Sequence, residues 1–312
     1  MSSALLFPGQ GSQSVGMLAQ LADEYSVVKA VFQEAADVLG YDLWDVVQNG
    51  PAEKLNLTEV TQPALLTASY AVWKVWQEKG GAEPMLMAGH SLGEYSALVC
   101  AGAIEFAQAV SLVEARGRFM QEAVPDGVGA MAAIVGLDEQ AIIDGCETLS
   151  DELKVGAANF NSPGQVVIAG HREKVEAACA AFKVDVAKMA KLLPVSVPSH
   201  SALMTPAAEK LSEKLESVTI AQPRISVLQN IDAAVSANAD AIRDKLVQQL
   251  YSPVQWVNTA QKLAEEGAEV VVEAGPGKVL AGLNKRIIKQ VKTLPVFDPA
   301  GLDAALEASL GE

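Results

Sequence analysis

Cysteine, histidine and basic side chains are scarce in this chain of 312 residues, which has three, three and 23 of them respectively. Cys100, Cys146 and Cys179 stand far apart with no C-x-x-C pair. That fits reduced thiols in a cytosol, buried in a core, better than a disulfide frame or a zinc site. The basic residues face 38 acidic ones, for a formal charge of −15 and a pI of about 4.7. Such a surface repels phosphate backbones and anionic lipid heads, so neither nucleic acid nor a membrane is expected as a partner. No apolar run reaches the roughly 18 residues that a membrane helix requires. The apolar start has no basic stretch before it and is broken at Pro8, Gly9 and Gly11, unlike a signal peptide. A soluble, cytoplasmic protein is the expectation.

What is abundant is apolar: hydrophobic residues make up 50% of the chain, enough to bury at least one large core. Short apolar runs at 4–7, 84–90, 225–230 and 269–273 are bounded by Gly, Pro or Asn and separated by long amphipathic stretches. That alternation predicts a parallel sheet covered by helices. Between Pro125 and Pro198 the rhythm changes to β-α-β-β-α-β, a split βαβ pattern inserted into the larger unit. The division predicted is a discontinuous body, 1–124 with 198–312, and an insert at 125–197. No internal repeat or low-complexity tract is present.

The stretch MAGHSLGEYSA, 87–97, places Ser91 inside a G-x-S-x-G pattern. Alone the pattern is weak in a glycine-rich chain, but an apolar strand precedes it and a helix follows. This is the context of a nucleophile elbow, with the helix N-terminus beneath the serine. A plain serine in a tight turn is the blander reading. A serine hydroxyl needs a base. His90 adjoins Ser91 on an extended strand and points to the opposite face, and His171 starts a helix in the insert. His200, in a loop of PVSVPSHSALM, is the best candidate. A carboxylate behind it would come from Asp126, Asp138, Asp144, Asp151 or Asp185, none of which looks placed for the task. A backbone carbonyl can also accept the imidazole Nδ1–H, so a Ser–His dyad is the simpler reading.

In the helix predicted over 107–123, Ala109, Val113, Arg116 and Met120 share one apolar stripe, while Arg118 lies on the far side beside Glu114. An arginine on a packed face must meet a planar anion, because an unpaired buried charge costs several kcal/mol. Either a structural carboxylate or the free carboxylate of a dicarboxylic half-thioester would serve. FPGQGSQ, 7–13, lacks the spacing of a phosphate loop; its glycines suit either an oxyanion hole or a plain turn. EAGPGKVLAGL reads as a helix start. That helix is predicted to carry Lys278, Lys285, Lys289 and Lys292 on one side and Leu280, Leu283, Ile287 and Val291 on the other, a basic stripe for an acidic partner or coenzyme A phosphates, or simply a complement to the dipole.

FPGQGSQ, TQPALLTAS, GHSLGEYSAL, the R-x-R at 116–118, NSPGQVVIAG, VPSHSALM and EAGPGKVL, in this order along essentially the whole chain, closely resemble the malonyl-CoA:acyl carrier protein transacylase family. The resemblance implies an α/β fold: a hydrolase-like parallel sheet flanked by helices, with an inserted ferredoxin-like α+β subdomain. It implies Ser91 as nucleophile, His200 as base, the main-chain carbonyl of Gln249 behind the base, and Arg116 on the malonyl carboxylate. The oxyanion-hole amides map to Gln10 and Leu92, and Gln62 and Asn161 to polar residues near the acyl and pantetheine arm. Malonyl-CoA and holo acyl carrier protein are the implied partners, for fatty acid biosynthesis by a monomer with no metal or redox cofactor. A serine esterase or thioesterase with the same Ser–His pair is the alternative activity, and a non-catalytic carrier-docking module the alternative class.

Overall fold

The computed structural model describes residues 1–184, 187–195 and 197–311. Among the described residues nine strands form two sheets: β1 (Ser3–Phe7), β2 (Leu86–Gly89), β3 (Gly129–Val135), β4 (Val155–Ser162), β5 (Gln165–His171), β6 (Met189–Leu192), β7 (Ser226–Leu228), β8 (Val270–Ala274) and β9 (Lys292–Val296). The larger sheet has the order β7-β2-β1-β8-β9, and every neighbouring pair in it is parallel. All residues of β1, β2 and β8 are buried, as expected of central strands with helices on both faces. The smaller sheet has the order β4-β5-β3-β6 and is antiparallel throughout. The helices Glu139–Leu149 and Arg172–Val184 cover it through Ile142, Cys146, Val175 and Phe182. The expected parallel sheet flanked by helices, with a small α+β unit, is therefore the observed architecture. All three cysteines are free and buried.

One sequence expectation changes. The basic stripe is not one helix: the helix Val279–Ile287 ends before Lys289, and Lys292 opens the edge strand β9. Edge position explains why β9 was not foreseen, since KTLPV is largely half-exposed and carries a proline, which a central strand excludes. On the helix Phe106–Ala123, Arg118 forms its ion pair with Glu122 at 4.0 Å, while its charge also acts on Glu114.

The C-terminal ends of the parallel strands form one edge of the body, where ligands bind in open α/β sheets. Phe7 of β1 and Gly89 of β2 are register partners there, so FPGQG and the Ser91 turn leave the sheet side by side. The small sheet reaches the same edge: Phe160 N–H donates to the Val254 carbonyl and Val254 N–H to the Ala158 carbonyl, both at 2.9 Å. Among the described residues no helix is long and apolar enough to cross a membrane.

Candidate active site

Ser91 occupies the left-handed region, φ +51°, a conformation that costs a non-glycine residue about 1–3 kcal/mol. Close backbone packing enforces it. A Cβ on Gly89 would lie 1.9 Å from the Gly93 carbonyl group, and one on Gly93 would lie 2.0 Å from the Phe7 oxygen, so both glycines of the elbow are needed for contact rather than flexibility. Asn230, just beyond β7, holds the turn: its Oδ1 accepts the Ser91 N–H and its Nδ2 donates to the Gly89 carbonyl, both at 2.7 Å.

His200 faces the serine from the far side of the cleft, with Nε2 at 2.8 Å from Ser91 Oγ. Its Nδ1 lies 2.8 Å from the Gln249 carbonyl oxygen, which accepts the Nδ1–H and leaves Nε2 free to take a proton. Burial pulls the His200 pKa down to about 3; the charge of Arg116 pushes the same way and the bond to Gln249 opposes. The other histidines do not compete. His90 bonds Asn161 Oδ1 through Nε2 at 2.9 Å, and His171 Nδ1 accepts the Lys154 N–H at 2.8 Å. The weighed aspartates are engaged elsewhere: Asp126 by Gln121, Asp138 and Asp144 by Gln140, Asp151 by Lys174; Asp185 lies outside the described residues.

A depressed histidine pKa favours the fold above the free value of 6.5, and that contribution is lost as pH falls toward 3. We expect the His200 ring of the folded protein to stay neutral at pH 5, as read by the ring nitrogen shifts of 15N-histidine-labelled protein. Titration near the free value would refute the buried neutral base.

Arg116 is 1% exposed. Its Nη1 donates to Gln62 Oε1 at 2.7 Å, and its Nη2 to Gln249 Oε1 at 2.9 Å and Ser91 Oγ at 3.4 Å; the Tyr95 ring lies beneath, 5.3 Å from the guanidinium carbon. Among the described residues no carboxylate forms an ion pair with it, and its Nε has no partner. The charge of Glu94 reaches Arg116 only from behind the Gln249 side chain, so the cavity side of the guanidinium meets no carboxylate among the described residues. Arg116 lines a cavity of about 470 Å³ together with Gln10, Ser91, Leu92, Asn161 and His200. Among the described residues the main-chain N–H groups of Gln10 and Leu92 donate to no protein acceptor, and Gly9 packs so closely on the His90 carbonyl that a Cβ would lie 2.4 Å from its oxygen. The pieces for acyl transfer thus meet: a serine, a neutral base, free amides and a buried cation.

The acyl transferase domain model matches residues 4–303. The chain belongs to the acyl transferase family. It is 58% identical over 303 residues to the malonyl CoA-acyl carrier protein transacylase of Salmonella typhimurium, covering 97% of this chain and 98% of that one. Among solved structures it is similar to an acyl carrier protein S-malonyltransferase from Vibrio cholerae (TM-score 0.96, 54% identity, 97% of this chain and 99% of that one). It is also similar to a chain in the complex of a type II PKS acyl carrier protein with its malonyl-transacylase (TM-score 0.97, 56% identity, 99% of this chain and 100% of that one).

At two of the expected residues of this acyl transferase the structure shows further contacts. Gln62, which the resemblance places near the acyl and pantetheine arm, is fully buried and engages Arg116 and Met120. Besides the main-chain carbonyl that the resemblance assigns to the base, Gln249 bonds Arg116 through its side chain. Sequence reasoning missed Glu94, Gln229 and Asn230, a buried polar cluster behind the elbow. Glu94 had a signal, being a carboxylate one residue into a helix, Gly93–Cys100, that is otherwise apolar or small and is buried along its length. Burial raises its pKa to about 7, while Asn230, Gln249, Gln229 and Arg116 pull it down. Asn230 and Gln229 only ended an apolar run, and nothing local marked them.

Proposed function

We propose that the protein moves a malonyl group from malonyl-CoA to the phosphopantetheine thiol of acyl carrier protein through a malonyl-Ser91 intermediate. The observation that carries this reading is the buried Arg116, which among the described residues forms no ion pair, beside the Ser91–His200 pair. His200 Nε2 takes the Ser91 proton as Oγ attacks the thioester carbon. The oxyanion is received by the amides of Gln10 and Leu92, the C–S bond breaks, and the departing thiolate takes the proton from His200. The carrier thiol then repeats these steps in reverse. Arg116 grips the free malonyl carboxylate in a charge-assisted pair that acetyl cannot make. That carboxylate also offsets the guanidinium charge that depresses the His200 pKa, so the base strengthens when the correct acyl group is bound.

Each step is proton transfer and acyl exchange, so the reading calls for no metal or redox cofactor, and coenzyme A and phosphopantetheine act as substrate carriers. Monomeric action in the cytoplasm, for fatty acid biosynthesis, completes it, with residues 125–197 as the inserted subdomain. The test is intact mass after mixing with malonyl-CoA. A malonyl adduct on Ser91 that holo acyl carrier protein discharges and water removes only slowly is the expected result. Rapid release of free malonate without transfer would make the protein a hydrolase.

A further inference from the structure

Glu94 is fully buried, and among the described residues it forms no ion pair. Its carboxylate accepts three hydrogen bonds: from the Asn230 N–H at 2.8 Å, Gln249 Nε2 at 3.0 Å and Gln229 Nε2 at 3.2 Å. Two of these donors belong to residues that hold the reacting groups. Asn230 grips the Ser91 amide, and Gln249 touches His200 with its carbonyl, Arg116 with Oε1 and the Ser91 carbonyl with Nε2.

The Gln249 amide can satisfy its neighbours in only one sense. A carboxylate accepts and never donates, whereas a guanidinium donates and never accepts. With Glu94 at one end and Arg116 at the other, Nε2 must face the acid and Oε1 the arginine. Turned over, the amide would set donor against donor and acceptor against acceptor in a water-poor interior, where each unsatisfied group carries its full desolvation cost.

We propose that Glu94 is a positioning residue whose carboxylate, as the acceptor of three donors, sets the sense of the Gln249 amide and anchors Asn230, and thereby aims Arg116 at the malonyl carboxylate and steadies the Ser91 turn. The proposal rests on the malonyl transfer reading above. Glu94→Gln keeps the volume and presents an NH2 group to a ring of donors, which frees the Gln249 amide to turn.

The test compares kcat/KM for malonyl-CoA and acetyl-CoA in wild type, Glu94→Gln, Gln249→Ala and the double variant, with circular dichroism and thermal midpoints confirming the fold. Gln249→Ala keeps the main-chain carbonyl that His200 uses and removes the amide. Glu94→Gln is expected to lower the malonyl-to-acetyl ratio about tenfold or more, and to change it by less than about twofold in the Gln249→Ala background. An unchanged ratio, or an equal fall in both backgrounds, overturns the positioning role. Should Glu94→Gln not fold, Glu94→Asp carries the same comparison: its shorter reach is expected to lower the ratio only when Gln249 is present, and an unchanged ratio overturns the proposal. Wild type that fails to transfer malonyl at all would sink the functional reading instead, so the two failures are distinguishable.

Discussion

Ser91→Ala is expected to abolish malonyl transfer, with a fall in turnover on the order of 10⁴-fold or more, because in the proposed mechanism the Ser91 oxygen is the atom that carries the acyl group. The cost in stability is expected to be small. Alanine has the same left-handed penalty at φ +51° as serine, and the oxygen removed gives up only the Arg116 contact at 3.4 Å and the His200 contact at 2.8 Å. The thermal midpoint should therefore move by no more than a few degrees, while the mass spectrum after incubation with malonyl-CoA shows no adduct. Retained transfer at wild-type rate would reduce the elbow to a structural turn and leave the chain as a docking module.

Arg116→Ala is expected to act on selectivity. Losing a desolvated charge-assisted pair is worth about 2–5 kcal/mol, so kcat/KM for malonyl-CoA falls on the order of 10²-fold or more. Acetyl-CoA, which has no carboxylate to pair, should lose much less, and the malonyl-to-acetyl ratio should collapse accordingly. Part of the loss is common to both substrates, since the guanidinium also satisfies Gln62 Oε1 and Gln249 Oε1 and lies on Tyr95. The ratio removes that shared part. An equal fall for both acyl groups would mean that Arg116 supports the framework and does not hold the substrate.

The parts of the site that follow from local chain chemistry were legible. The G-x-S-x-G turn declares itself because a strand, a strained turn and a helix must follow one another within a few residues. Arg116 stood out because a cation falling on an apolar helical stripe contradicts the pattern around it. The β-α-β-β-α-β rhythm of the small sheet was readable for the same reason. β9 was not, since a half-exposed edge strand has no strong periodicity to show, and the lysines that preface it were extended into a helix that had already ended.

The sequence by itself determined the fold class, the strained serine turn, the choice of His200 among three histidines and the oddity of Arg116. Only the tertiary structure decided what surrounds them: that among the described residues no carboxylate forms an ion pair with Arg116, that Gln62 engages it, and that Glu94, Asn230 and the Gln249 side chain close one hydrogen-bonded cluster behind the elbow. The physical reason is separation along the chain. Asn230 and Gln249 reach Ser91 across 139 and 158 residues, brought together where parallel strands end on one edge. Periodicity and turn chemistry are written over a few residues, whereas the partner of a buried polar group depends on which crossover returns beside it.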